Sequence, residues 1–471
     1  MDFYFQAANI LDRLDSKQGS IKGVLASLPE SGRARTAALV IETLKYKAAL
    51  TDVINASRIL LEERKIKSLN LNLTLVLVHD LLLSRGIQAG DGPIKQAILR
   101  HKTRLRSELQ RIKIKRGVKS DQELANNGDE RAARIPRYAR INTCLWTTEE
   151  AIRHYQEEGF KLGDPFSSDK AFARDEHILD LLVFHPQCQF HDDICYTTGK
   201  VILQDKASCF PATVLAPPAK DDTVVIDATA APGNKTSHLS ALMANKGKLY
   251  AFERDQKRYR TLKAMLSKAG CKNVDAVNVD FLTVNPTDPK YNRVTHILLD
   301  PSCSGSGIVN RLDHLLEAED DDTEGLENRL NKLASFQLMM IKHAMKFPAV
   351  QKIAYSTCSI HAIENEQVVN QALNSEEAVQ AGFKLAPRAQ TLPTWHRRGK
   401  REDMDCQDNA ESLIRCSPGE DATNGFFVSC FVKTQITQCT EEVKTIKRKP
   451  GNTAPDSKQR KKRRKDRSTG N

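Results

Sequence analysis

Between residues 223 and 355 the sequence repeats one unit: a short apolar run that ends at a small, acidic or polar residue, then a stretch with helical spacing. The runs are Thr223 to Asp227, Lys248 to Glu253, Val274 to Asp280, Thr295 to Asp300 and Lys352 to Tyr355. Helical patterns fall at 235–244, 256–269, 330–347 and 363–373, and a last strand signal covers 425–432. Apolar runs this short read as strands buried on both faces, and strands alternating with helices imply crossover connections. The expected fold is therefore α/β: a Rossmann-like, mostly parallel sheet with helices on both faces, spanning about 201–435. Open sheets of this kind place ligands at the carboxyl ends of their strands.

Those strand ends carry the candidate chemistry. Asp300-Pro301-Ser302-Cys303-Ser304-Gly305-Ser306-Gly307 follows one apolar run, and Tyr355-Ser356-Thr357-Cys358-Ser359 follows another. Two cysteines and an acid at two such ends make a candidate site for a thiolate nucleophile. A lone cysteine at a strand end is most often a small buried apolar residue. That bland reading suits Cys209, Cys271 and Cys430; Cys303 and Cys358 are set apart by their pairing beside Asp300. Upstream, Asp227 to Thr236 reads as a strand end, a tight small-residue turn and a helix start. Thr229, Ala230, Ala231, Pro232, Gly233, Asn234 and Lys235 form that turn. Small residues allow close backbone approach, and a helix start offers unpaired N–H groups. Neither a GxxxxGK[ST] phosphate loop nor a GxGxxG dinucleotide loop is present. Glu253 lies 20 residues after Gly233, placed to accept hydrogen bonds from ribose hydroxyls, and Asp280 ends the next run. Acids at successive strand ends without a phosphate loop suit an adenosine cofactor lacking pyrophosphate, which points to S-adenosylmethionine rather than NAD.

A chain of 471 residues is long for one core, and its composition changes along its length. Residues 1–118 read as a helical domain. Leu69 to Leu83 could be a strand by periodicity alone, but its length and neighbours favour a buried helix. Arg100, Lys102, Arg104, Arg106, Arg111, Lys113, Lys115 and Arg116 form a basic helix opposed within it only by Glu108. Such a surplus is expected to face phosphates, the alternative being a solvated helix face. Residues 119–134 read as a linker. Residues 135–200 read as a small α+β module: a strand at 136–143 with interleaved basic residues, a helix opened by the capping pattern Thr147-Thr148-Glu149-Glu150, and a strand at His177 to Phe184. Such modules can bind single-stranded RNA on a sheet face, although aromatic residues are sparse here.

His185, Cys188, His191 and Cys195 have a spacing that could hold zinc, but Pro186 and Asp192-Asp193 interrupt it and no second paired cluster follows; no metal is expected. Eleven scattered cysteines, an odd count, indicate free thiols in a reducing compartment. No window of 18 apolar residues exists and the start does not read as a leader, so no membrane partner is expected. Glu317 to Glu324 reads as a solvated acidic loop. Residues 436–471 read as a disordered basic tail; Lys444 to Asn471 alone holds twelve Lys or Arg against two Asp, most of the net +12. Lys458 to Arg467 looks like a nuclear or nucleolar address, with a solubilising tail as the alternative.

Asp227 to Thr236, Asp300 to Gly307 and Ser356 to Ser359 resemble three motifs of the Sun-domain (RsmB/NOP-type) RNA cytosine-5 methyltransferases. Pro136 to Thr143 and Gln204-Asp205-Lys206-Ala207-Ser208 resemble two more, so the likeness covers roughly 135–435. With its helical N-terminus the chain most resembles the fifth Sun-domain subfamily, whose substrate is large-subunit (28S) ribosomal RNA. Ser302 stands where the family has proline, Thr229 where it has cysteine, and Asn234 where it has glycine. Ser302 and Asn234 suit that subfamily, and Thr229 is expected to matter little because the loop would meet ligand through its backbone.

The resemblance implies methyl transfer from S-adenosylmethionine to carbon 5 of cytosine. Cys358 would be the nucleophile, Cys303 would assist product release, and Asp300 would hold the cytosine ring at nitrogen 3. Lys206 would help orient that acid. Thr229 to Lys235, Glu253, Arg258, Asp280 and Asp300 would line the cofactor. Ribosomal RNA, free or within pre-ribosomal particles, would be the partner, and the nucleolus and nucleus the location. Two rivals remain at this level. A DNA cytosine-5 methyltransferase would use the Pro-Cys-type cysteine as nucleophile, and a ribosome assembly factor would bind ribosomal RNA without turnover.

Overall fold

The computed structural model describes residues 1–63, 69–126, 128–309, 312–316 and 323–433. The basic tail, most of the acidic run at 317–324, and Asn127 of the linker therefore lie outside the described residues. Met1 to Thr434 forms one compact unit.

Short buried strands dictate the large sheet. Five of them, β6 (Val224–Asp227), β7 (Lys248–Phe252), β8 (Val274–Val277), β9 (His296–Leu299) and β10 (Lys352–Thr357), match the apolar runs to within a few residues. They follow β1–β5, described below, and precede β11 (Phe383–Leu385), β12 (Ile414–Cys416) and β13 (Phe426–Lys433). The sheet order is β11-β13-β10-β9-β6-β7-β8, with β12 also on β13. Pairing from β10 to β8 is parallel, whereas β13 lies antiparallel on β10 and β11. Alternate residues serve opposite faces. Ile226, Ile297 and Ile353 pack with Met340, Ile341 and Ala344 of the helix Thr323–Met345, while Val225, Leu298 and Ala354 pack with Ala212 and Leu239 on the other face. Each buried aliphatic side chain contributes about 1.5–3 kcal/mol. Both faces are thus sealed and only the strand ends remain open to a ligand.

The small module is a five-stranded sheet in the order β2-β3-β4-β1-β5, formed by β1 (Arg137–Ile141), β2 (Lys161–Leu162), β3 (Ala171–Arg174), β4 (Leu181–Phe184) and β5 (Val201–Leu203). Its helix Thr148–Glu157 starts with the expected reciprocal cap between Thr147 and Glu150. Three features differ from the sequence reading. Val201–Leu203 pairs with β1 and completes this sheet instead of opening the large one. Residues 177–180 form a turn, because the Asp175 side chain accepts the backbone N–H groups of His177 and Ile178. Arg140, one of the interleaved basic residues, is buried: it donates to Gln204 Oε1, to the Asn234 carbonyl and to Ser237 Oγ. It binds the small sheet to the large domain and presents no charge to solvent. Several aromatics are internal too, with Tyr155 edge-on to Phe184 and Phe172 stacked on Phe184, while Phe166 is exposed.

Helices build residues 1–118. Leu71–Leu83 is a helix, buried from Asn72 to Leu81 and capped by Asn70, whose side chain accepts the Leu73 N–H. The basic stretch breaks at His101 into the helices Pro93–Arg100 and Lys102–Arg116. Half of its eight basic residues pair with acids outside these helices: Arg100 with Glu63, Arg104 with Glu62, Lys113 with Asp121 and Arg116 with Asp52. Leu315, downstream of Cys303, is buried in this helical core among the apolar residues of Asp2–Asp15 and Arg33–Lys45.

Candidate active site

The carboxyl ends of β6, β7, β9 and β10 converge on a cavity of about 450 Å³. Thr229, Glu253, Arg258, Asp280, Asp300, Cys303 and Cys358 all line it, together with Arg254, Phe281, Phe336 and Met340. Parallel pairing of β9 with β10 aligns Leu299 with Tyr355, so Asp300 and the residues after Thr357 emerge side by side. Among the described residues no group of His, Cys, Asp or Glu is arranged to hold a metal ion. No described helix is long and apolar enough to cross a membrane.

The two cysteines meet. Cys303 Sγ lies 3.1 Å from Cys358 Sγ, and the Cys358 N–H donates to Cys303 Sγ at 3.3 Å. The Cys303 thiol is pushed far up by its hydrogen bond to the Cys358 sulphur, and further by burial and by the charges of Cys358 and Asp300. Either sulphur can be the donor in this contact, and both line the cavity beside Asp300.

Asp300 is clamped. Oδ2 accepts from Lys235 Nζ at 2.7 Å and Oδ1 from Ser356 Oγ at 2.7 Å, while its backbone N–H donates to Thr229 Oγ1 at 3.1 Å. Burial lowers the pKa of the Lys235 ammonium, but Asp300, Cys358 and Asp227 more than offset this and hold it above its ordinary value. Lys206, expected to orient Asp300, instead pairs with Asp175 at 2.6 Å and reaches His177 Nδ1 at 3.1 Å. Distance along the chain hides this exchange: Lys235 stands in the first turn of the helix Asn234–Leu242, which starts at the β6 end, facing β9. Thr229 also does more than pass by, because its hydroxyl fixes the backbone at Asp300.

The remaining predicted cofactor residues divide. Glu253 is buried, with Oε1 accepting the Asp255 N–H and Arg258 3.5 Å away; Arg258 also donates to the Ala231 carbonyl. Asp280 accepts the Leu282 N–H. Ala230, Ala231, Pro232, Gly233 and Asn234 shape the turn but do not line this cavity. A Cβ at Gly233, where φ is +115°, would press on Met265 and Leu262, so this position serves close helix packing. The Asn234 side chain faces a second, smaller cavity beside Tyr196 and Lys268.

Of the four residues with zinc-like spacing, Cys195 is buried in the small module's core, Cys188 packs partly against it, and His191 is exposed. Sequence reading missed Arg254, Phe336, Met340 and the buried Glu364. None has a local signal, since their positions depend on how remote elements pack.

A mostly parallel sheet whose strand ends carry acids around one cavity is the architecture of an α/β methyltransferase, here with a cysteine pair at the cavity's edge. Comparison with known proteins narrows the class. The family model of the 16S rRNA methyltransferase RsmB/F matches residues 212–432. Models of the N-terminal and ferredoxin-like domains of NOL1/NOP2/Sun domain family member 5 match 35–125 and 135–204. The Schizosaccharomyces pombe 25S rRNA (cytosine-C(5))-methyltransferase rcm1 is 46% identical over 441 residues, 93% of each chain. A mouse 28S rRNA (cytosine-C(5))-methyltransferase is 40% identical over 446 residues, covering 93% of this chain and 92% of its own. Among solved structures, a methyltransferase homolog from Pyrococcus horikoshii is 24% identical, covers 64% of this chain and 87% of its own, and superposes with a TM-score of 0.51, supporting the fold. The chain belongs to the Sun-domain (RsmB/F) methyltransferase family.

Proposed function

We propose that this protein methylates carbon 5 of a cytosine in large-subunit ribosomal RNA, using S-adenosylmethionine and a transient bond between Cys358 and the base. The observation that carries the reading is the 3.1 Å cysteine pair opening on the cavity beside a clamped Asp300. The choice of RNA rests on the 25S and 28S rRNA (cytosine-C(5))-methyltransferases to which the chain is similar over most of its length.

The donor set fits S-adenosylmethionine. Glu253 and Asp280 are acceptors for hydroxyls, Phe281, Phe336 and Met340 supply apolar walls, and the acids suit a cationic sulfonium better than a phosphate. When bound, that group supplies an electrophilic methyl. Thr229, Glu253, Arg258, Asp280 and Asp300 would hold it.

Carbon 5 of cytosine is a poor nucleophile until a sulphur adds to carbon 6. Cys358 makes that bond. Asp300, fixed by Lys235 and Ser356, holds the ring at nitrogen 3, and a proton relayed from the Lys235 ammonium through Asp300 meets the negative charge that develops there, returning when the carbon–sulphur bond breaks. Bonding to carbon removes the charge on Cys358 that had raised the Cys303 thiol. Cys303, which in this reading holds the shared proton, then passes it to solvent water and as thiolate takes the proton from carbon 5, and the carbon–sulphur bond breaks so that Cys358 leaves as thiolate. Modification of ribosomal RNA suits action in the nucleolus or nucleus, on free RNA or on a pre-ribosomal particle.

The test pairs bisulfite mapping of ribosomal RNA, with and without the protein, with trapping on 5-fluorocytosine RNA. Cys358→Ala should lose the trapped adduct and Cys303→Ala should keep it. Trapping that survives Cys358→Ala would assign the attack to Cys303 and overturn the roles.

A further inference from the structure

We infer that two adjacent buried residues, Glu364 and Asn365, act as a double clamp that sets the two cysteines for different steps of the reaction; this rests on the function proposed above. Both side chains are fully buried, and neither lines the cavity. Each reaches one cysteine segment.

Glu364 holds the Cys303 side. Its Oε1 accepts the Ser304 backbone N–H at 2.9 Å and its Oε2 accepts the Ser304 hydroxyl at 2.5 Å. Gln337 extends the grip, donating to Glu364 Oε1 at 3.0 Å and to the Ser302 carbonyl at 3.1 Å. The backbone is thus fastened on both sides of Cys303. Tyr355, on β10, anchors the assembly from beneath by donating to the Glu364 carbonyl and to Gln337 Oε1.

Asn365 holds the Cys358 side. Its Oδ1 accepts the Thr357 hydroxyl at 2.6 Å, and its Nδ2 donates to the Ser359 carbonyl at 2.9 Å. The residues before and after Cys358 are fastened by this one amide. Because Glu364 and Asn365 are neighbours in the chain, a single peptide unit joins the supports of the two fastened segments, which also meet directly through Ser304 Oγ and Ser359 Oγ. A sulphur–sulphur contact of 3.1 Å is close enough for the two cysteines to share a proton, so its control by a rigid support is a control of the chemistry. These are positioning residues: they touch no substrate and act through Cys303 and Cys358.

The arrangement predicts opposite phenotypes from adjacent positions. Glu364→Ala frees the Cys303 segment and should impair release. Adduct should form with 5-fluorocytosine RNA at close to the wild-type rate, while on ordinary RNA a denaturant-resistant RNA–protein adduct accumulates, as with Cys303→Ala. Turnover should fall roughly 10- to 100-fold, toward the low end of what a placed proton-transfer group contributes. Glu364→Gln, which keeps the size and one acceptor oxygen, should recover part of the turnover. It also serves as the test variant if the alanine protein fails to fold. Asn365→Ala frees the Cys358 segment and should impair attack, with slow trapping on 5-fluorocytosine RNA and no build-up on ordinary RNA.

Denaturing gels and methyl-transfer rates on folded protein read all of these. Equal losses of trapping and turnover in both variants, in proportion to lost thermal stability, would overturn the clamp. Wild-type behaviour in both would do the same. If Cys303→Ala accumulates no adduct and the wild type transfers no methyl to RNA, the underlying reading falls and the clamp with it.

Discussion

Replacing Cys358 with alanine should lower the pH at which Cys303 becomes reactive. The Cys303 thiol is raised first by its hydrogen bond to Cys358, then by burial, then by the charges of Cys358 and Asp300. The alanine removes the hydrogen bond and the Cys358 charge but leaves burial and Asp300. A hydrogen bond to a charged group is worth about 1.5–3 kcal/mol. One pH unit corresponds to about 1.4 kcal/mol, so the midpoint should fall by about one to two pH units while staying above that of an exposed thiol. The assay is alkylation by iodoacetamide from pH 6 to 10 (about one label per molecule or fewer), with the Cys303 peptide quantified by mass spectrometry. In the wild type Cys303 should be labelled only at the alkaline end. Superimposable profiles for the two proteins, or a rise in the variant, would refute the assignment of the shared proton to Cys303. The variant also reproduces a catalytic state, since a Cys358 sulphur bonded to carbon carries no charge. A lowered Cys303 midpoint is therefore what a base for the carbon-5 proton requires.

Two further outcomes follow from packing and burial. Gly307 donates its N–H to the Cys358 carbonyl, and a Cβ there would sit 2.2 Å from the Gly425 carbonyl oxygen; Gly307→Ala should cost about 1–3 kcal/mol in urea unfolding and reduce methyl transfer, and a variant as stable and active as wild type would contradict this close approach. Asp227 is buried and burial raises its carboxyl from 3.8 to about 6 despite hydrogen bonds from Thr236 and Thr229, so the stability linked to its protonated form is present below pH 3.8 and is lost as pH rises through 6; Asp227→Asn should therefore gain on the wild type across that window by up to about 3 kcal/mol in denaturant melts, and a constant difference across the window would count against it.

The parallel strands of the large sheet were legible because each is a short, mainly apolar run with a chemically marked end, whereas β11 and β12 have three residues each, with Lys384 and Arg415 at their centres, and leave no such pattern. Asp300, Cys303 and Cys358 could be singled out for the same reason: strand ends in a parallel sheet face one direction, so marked ends meet. The basic helix misled in part, because Glu62, Glu63, Asp52 and Asp121 neutralise it from other elements and periodicity carries no record of them. The edge strand β2 has only two residues, too few for any pattern to register. Arg140 read as one of the basic residues interleaved in a strand and is a buried bolt, since its hydrogen-bond partners come from segments 60 or more residues away. Lys235 and Lys206 show the same limit at the site itself. Both stand in helix first turns, and only the packing of those helices decides which one reaches Asp300.

Leu315 gives the helical domain a standing that its position in the chain conceals. A segment that leaves the Cys303 loop has its anchor inside the N-terminal core, with Leu312 and Leu316 packed against the same surface. Dividing the chain at the 119–134 linker would strip that anchor of its socket and open a greasy slot in the other fragment. A catalytic fragment beginning at residue 135 would carry an exposed leucine cluster in the chain that follows Cys303. The helices thus serve the reaction as masonry serves an arch, by thrust from the side, whatever they contribute to holding RNA.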